Sequence, residues 1–233
     1  MPRRAARFAR ILDRLEKFYG KQKASGPRTP YEMVLHRNCG YPQSDDRCDM
    51  GFEALRRGIG LAPEKILAAP VARLREVMQP SVMIPALTAR RLKEIAARVA
   101  DEFRGDLSAA MKQPVAEVRK ALKKFPTVAD ATADKILLFT RTAPIPAVPS
   151  NCAHVPLRLG FGRESKNWAA GYRSAQQAIA AELPSEFDAL IRAYVLLKHH
   201  GQQTCKLARP RCDACPVSSE CVYFKKLRAA AAH

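Results

Sequence analysis

Four of the seven cysteines, Cys205, Cys212, Cys215 and Cys221, crowd into 17 positions near the C-terminus in the order C-x6-C-x2-C-x5-C. Thiolates are soft ligands, suited to zinc or to an iron–sulfur cluster. Structural zinc sites usually pair two short C-x(2–4)-C hooks, and only Cys212 and Cys215 form one here. The wider arms suit a cubane, whose iron corners lie further apart than ligands on a single ion, although spacing alone leaves zinc open. Cys39, Cys48 and Cys152 are scattered, and an odd total in a chain with no secretory signal argues against a disulfide framework.

A second pattern lies about 80 residues upstream. Leu122, Phe125, Val128, Ala133 and Ile136 are spaced to lock two short helices across the turn Pro126-Thr127-Val128-Ala129-Asp130, the skeleton of a helix-hairpin-helix. Backbone N–H groups in such a turn can face a phosphate. Arg119, Lys120, Lys123 and Lys124 gather on the incoming helix and supply attraction that fades with salt. The plainer reading is two core helices joined by a loop.

These patterns sit in a chain of 233 residues with 40 Lys+Arg against 22 Asp+Glu, a formal net charge of +18. That surplus favours a polyanionic partner. Hydrophobic residues at 47% exclude a disordered basic tail, and 11 glycines with 7% aromatics argue against a turn-rich sandwich or barrel. The apolar runs are too short to span a bilayer. The Arg-rich start has no continuous apolar core, so no secretory signal is expected. Phe8, Ile11, Leu12, Leu15, Phe18 and Tyr19 instead recur at helical spacing, which predicts an ordinary first helix rather than a transit peptide.

After a polar break over residues 20–30, helices are predicted over Tyr31–Asn38, Cys48–Arg57, Pro63–Ala68, Val71–Met78, Thr88–Phe103, Val115–Phe125 and Ala131–Thr140. A proline-rich connector, Ala143–Pro149, precedes a helix capped by Ser150 or Asn151. Lys166–Ala181 and Glu186–His199 are the last long helices expected. No alternating strand pattern is present, so the fold class is all-α. Asp45 or Asp46 is expected to cap the helix starting near Arg47, and His154 and His200 to bond locally.

The segment HHGQQTCKLARPRCDACPVSSEC resembles the cluster loop of the endonuclease III-like DNA glycosylases, with identical ligand spacing. The resemblance runs from about residue 8 to residue 226. It implies a [4Fe–4S] cluster on Cys205, Cys212, Cys215 and Cys221, and phosphate contacts from Lys206, Arg209 and Arg211. It also implies two helical domains flanking a DNA-binding groove. One is a six-helix barrel over 29–141 containing the hairpin at about 115–140; the other is a discontinuous cluster domain of 1–28 and 142–233. DNA contacts are implied at Thr127 and Ala129, with Lys123 and Lys124 beside them. The family usually has Gly at 127 and 129. Thr127 tolerates positive φ poorly, so a reshaped turn is expected. In the loop after the first barrel helix, a family Gln fills the hole left by a flipped base. It aligns with Pro42, so Gln43 is the nearby candidate, and Tyr41 could stack on a base or pack in the core.

Two departures concern chemistry. Bifunctional members carry a Lys amine that attacks the sugar, and Ala131 stands there; monofunctional members lack it too. The family's Asp, which stabilises the cationic sugar or activates the nucleophile, falls at Pro149. No Asp or Glu occurs between Asp134 and Glu164, so a small shift does not restore it. No catalytic residue is assigned; Lys135, four positions past Ala131, is not placed as a substitute. Three readings follow. The first is a monomeric, intracellular (cytoplasmic or nucleoid-associated) binder of damaged, mismatched or distorted double-stranded DNA in base excision repair, without the standard residues and with no membrane role. The others are an active monofunctional glycosylase using a relocated acid, and a zinc-stabilised basic helical adaptor.

Overall fold

The computed structural model describes residues 2–24, 26–27, 29–42 and 44–231, with side chains from Arg7 onward. The regular elements of the described residues are all helices, with no strand. The chain divides into two compact units, Ser25–Thr142 and a discontinuous unit of Met1–Ala24 with Ala143–His233.

The discontinuous unit begins with α1, Pro2–Tyr19. Its periodic residues Phe8, Ile11, Leu12 and Leu15 are fully buried, each contributing about 2 kcal/mol by leaving water. Phe18 departs from the expected stripe and is 57% exposed. The helix is held to the C-terminal segment by polar contacts. Arg7 donates to the carbonyls of Leu159 and Glu220, and Arg192 reaches Asp13 and Glu16 at 2.7 Å. The Phe8 ring meets Phe161 edge-on at 4.6 Å.

The continuous unit runs through α2 (Pro30–Asn38), α3 (Asp45–Gly58), α4 (Pro63–Ala68), α5 (Val71–Met78), α6 (Pro85–Phe103), α7 (Leu107–Ala110), α8 (Val115–Leu122) and α9 (Asp130–Phe139). Thr29 caps α2, its hydroxyl accepting from Glu32 N–H, with Pro30 preset at the first helical position. The helix α3 begins at Asp45 after Ser44. Both aspartates therefore lie in its first turn, where the helix dipole favours acids, and neither is the cap expected for a start near Arg47. Ala89, Leu92, Ile95, Ala96 and Val99 form the buried stripe of α6. Gly51 lets α3 pass close to its neighbours: a Cβ there would lie 2.2 Å from the Cys39 carbonyl oxygen.

The chain then returns to the discontinuous unit through a 3-10 turn, Ser150–Cys152, rather than the longer capped helix expected there. It continues through α10 (His154–Arg158), α11 (Trp168–Ala180), α12 (Phe187–Gln203), a 3-10 turn at Ser218–Glu220 and α13 (Val222–Ala231). The short α7 and α10 and the polar α13 carry too few periodic residues to stand out in the sequence.

Candidate metal centre and nucleic-acid-binding hairpin

The C-terminal end of α12 and the loop after it bring Cys205, Cys212, Cys215 and Cys221 to the wall of one hollow, with His200 and Tyr223 beside them. All four are free thiols. Among the described residues, no three His, Cys, Asp or Glu side chains gather closely enough to grip one metal ion. A donor set of four thiols around a shared hollow fits a multi-iron cluster by its chemistry.

The hollow is supported by residues that carry no cysteine signature. Arg158, at the end of α10, is buried and spans the loop. Its guanidinium donates to the Lys206 carbonyl at 2.9 Å and the Leu207 carbonyl at 2.7 Å, and lies 3.6 Å from Cys205 Sγ. The ring of Tyr223 stacks under it, 4.5 Å from Cζ. His154 Nε2 lies 2.6 Å from the Cys205 carbonyl oxygen, a partner 51 residues away rather than a local one. His200 stands 2.8 Å from the Tyr19 hydroxyl and 3.8 Å from Cys215 Sγ. Burial pushes its pKa down to about 4, so its imidazole is neutral at pH 7. Burial also raises the thiols of Cys205, Cys212 and Cys215, Cys215 to about 11, whereas the Arg158 hydrogen bond works against that rise at Cys205. Ligation would therefore release protons.

In the continuous unit, α8 and α9 form the hairpin. Val118, Leu122, Phe125, Val128, Ala133 and Ile136 are buried between and beneath them. Thr127 adopts φ +63°, the left-handed conformation a Gly would take, and its hydroxyl oxygen is buried without a partner among the described residues. The low tolerance of Thr for positive φ does not keep it out of that conformation here. The turn is tied down from α2, where Asn38 Nδ2 donates to the carbonyls of Val34 at 2.9 Å and Pro126 at 3.1 Å. It is tied to α6 by Phe103, stacked on Phe125 at 6.0 Å. Asn38 follows His36 and Arg37 at the polar end of α2, so its sequence context carries no signal of this role.

The hairpin cations are partly committed. Lys123 pairs with Asp130 at 2.6 Å, Lys124 with Glu102 at 2.8 Å, and Arg119 with the buried Asp134. Lys123 and Lys124 remain half-exposed. Ala129 is exposed at the start of α9, and Lys206, Arg209 and Arg211 are exposed on the cysteine loop. Tyr41 lies under Arg37, at 4.5 Å from Cζ to ring centroid, with Arg91 at 5.9 Å. Gln43 lies outside the described residues. Ala131 is 5% exposed on α9, and Pro149 is buried at the end of the connector.

No family model matches the chain. It is 24% identical to an endonuclease III of Sulfolobus acidocaldarius over 198 residues, 84% of this chain and 83% of the relative. It is 25% identical to one of Bacillus subtilis over 159 residues, 68% of this chain and 66% of the relative. A non-covalent endonuclease III–DNA complex superposes with a TM-score of 0.76 at 21% identity, covering 97% of this chain and 98% of the other. Its fold is that of the endonuclease III-like helix-hairpin-helix DNA glycosylases. A thermostable thymine-DNA glycosylase shares this endonuclease III-like fold at a TM-score of 0.73 and 18% identity, over 96% of this chain and 98% of that one. Among the described residues, no helix of this endonuclease III-like chain is long and apolar enough to cross a membrane.

Proposed function

We propose that the chain binds double-stranded DNA and recognises damaged, mismatched or distorted duplex, with a [4Fe–4S] cluster on Cys205, Cys212, Cys215 and Cys221 bracing the loop that carries Lys206, Arg209 and Arg211. The endonuclease III-like fold and the net charge of +18 support duplex binding. The hairpin supports it further: Thr127 adopts the left-handed conformation a Gly would take in the turn, although no Gly is present. A cluster supplies rigid covalent ligation; Arg158 then orients the loop by holding the carbonyls of Lys206 and Leu207.

The observation that carries the loss of excision is the pair Ala131 and Pro149. Both are buried and neither side chain bears a polar atom. Position 131 offers no amine to attack a sugar, and position 149 offers no carboxylate to stabilise an oxocarbenium-like one.

The test is a single-turnover assay over duplexes bearing damaged and mismatched bases, run beside equilibrium binding. Tighter binding to a subset of duplexes without base release is the expected result; release of any base above the uncatalysed control overturns it. Replacing Lys123 and Lys124 with Gln should weaken all duplexes alike and lower the salt slope by at most about 2. A yellow-brown protein with about four irons is expected from the cluster type; a colourless one with a single zinc would overturn the cluster.

A further inference from the structure

Five of the ten arginines on the helices of the continuous unit reach a carboxylate among the described residues. Arg56 and Arg57 pair with Glu53, Arg73 with Glu76, Arg98 with Glu94 and Glu102, and Arg119 with Asp134. Arg37, near the end of α2, and Arg91, on α6, reach none among the described residues. Both instead approach the same ring, Tyr41, with Cζ at 4.5 and 5.9 Å from its centroid. Their guanidinium carbons are thus no more than 10.4 Å apart.

Two half-buried cations gathered on one ring repel each other, and a quadrupole offsets only part of that repulsion. The Arg37 Nε is moreover buried with no acceptor among the described residues. An anion with several acceptor oxygens would supply both the missing charge and the missing acceptor. Arginine's planar fork matches the oxygens of phosphate.

The position of the pair suits a ligand that also touches the hairpin. Asn38, next to Arg37, is bonded to the hairpin turn at Pro126. Arg91 lies seven residues before Arg98, whose guanidinium sits over Phe125 of the hairpin. Seven residues of helix span about 10 Å, so one backbone could run past both elements. We propose that Arg37 and Arg91 form a phosphate-binding site, with Tyr41 as the positioning residue that holds the two guanidinium groups ready. The proposal rests on the duplex-binding reading above and adds to it a backbone grip outside the hairpin and the cysteine loop.

The experiment measures duplex affinity against salt concentration for the full holo-protein. Each phosphate contact adds about 0.9 to the slope of log K against log salt. Arg37→Gln with Arg91→Gln should therefore flatten the slope by about 0.9–1.8. Arg37→Lys with Arg91→Lys should weaken binding but keep the slope near that of the parent. Tyr41→Leu should flatten it and Tyr41→Phe restore it, a rescue that a merely structural role would not produce in the salt slope. Far-UV circular dichroism checks that each variant folds. If the parent binds duplex and the double Gln variant keeps its slope, the site is overturned while the duplex reading stands. If the parent binds no duplex, that reading fails, and inorganic phosphate decides the site. At matched ionic strength, phosphate should raise the parent's melting midpoint over chloride and leave the double Gln variant unmoved; equal responses overturn the proposal.

Discussion

Thr127→Gly isolates how the hairpin turn is held. At φ +63°, a β-branched side chain costs about 1–2 kcal/mol relative to a residue without Cβ. Its hydroxyl is buried without an acceptor or donor among the described residues, which adds about 1 kcal/mol or more. Against these stands the wider unfolded-state freedom of Gly, about 0.5–1 kcal/mol. The balance favours Thr127→Gly by about 1–2 kcal/mol, which corresponds to a rise of about 2–8 °C in melting midpoint. Thr127→Val separates the contributions, because it removes the hydroxyl and keeps the β-branch; it should recover only the hydroxyl part. Urea unfolding followed by far-UV circular dichroism, with calorimetry to resolve the two units, gives both numbers. A destabilised Thr127→Gly, or a Thr127→Val as stable as Thr127→Gly, would refute the strain argument. It would mean that the Thr side chain itself holds the turn.

Two further perturbations probe the continuous unit. Asp134→Asn should lower stability by about 1–3 kcal/mol, because it removes the buried carboxylate bonded to Arg119 across α8 and α9. An unchanged urea midpoint would show that the pair does not join the helices. His36 donates from Nε2 to Asp49 across 2.6 Å, and burial lowers its pKa more than Asp49 and Asp45 raise it, with Lys135 adding to the lowering. The unfolded chain therefore binds more protons than the folded one below about pH 6.5, and stability falls as pH drops through that value toward the folded pKa. The difference in urea stability between the parent and His36→Gln should shrink between pH 7.5 and 5.5; a difference that grows instead would refute the sign.

The sequence made the helices legible where apolar residues recur over several turns, as along α1 and the Ala89–Val99 face of α6. The cysteines and the hairpin were legible because their spacing is itself the geometry. Other features were not. A local preference placed Thr127 outside the left-handed region, yet Asn38 bonding to Pro126 and Phe103 stacking on Phe125 fix the turn from elements far away in sequence. Arg158 carries no motif, since its role depends on α10 meeting a loop about 50 residues later. The free appearance of Lys123 and Lys124 in a basic run likewise concealed their partners, because Glu102 belongs to another helix.

The charge that suits this chain to DNA also bears on whether it can excise a base. A field of +18 lowers the energy of a bound polyanion and raises that of any positive charge developing on its sugar. An excision site in such a field needs a nearby carboxylate to reverse the sign locally, and a single preorganised electrostatic group is worth about 3–4 kcal/mol. In the proposed reading Pro149 stands where that acid is expected, and with no acid between Asp134 and Glu164 no neighbour in sequence supplies it. Asp134 itself is buried and already bonded to Arg119, so its charge is spent within the hairpin. In the proposed reading, tight duplex binding and absent excision therefore share one electrostatic cause: the cations remain and the acid that would turn their field toward catalysis does not.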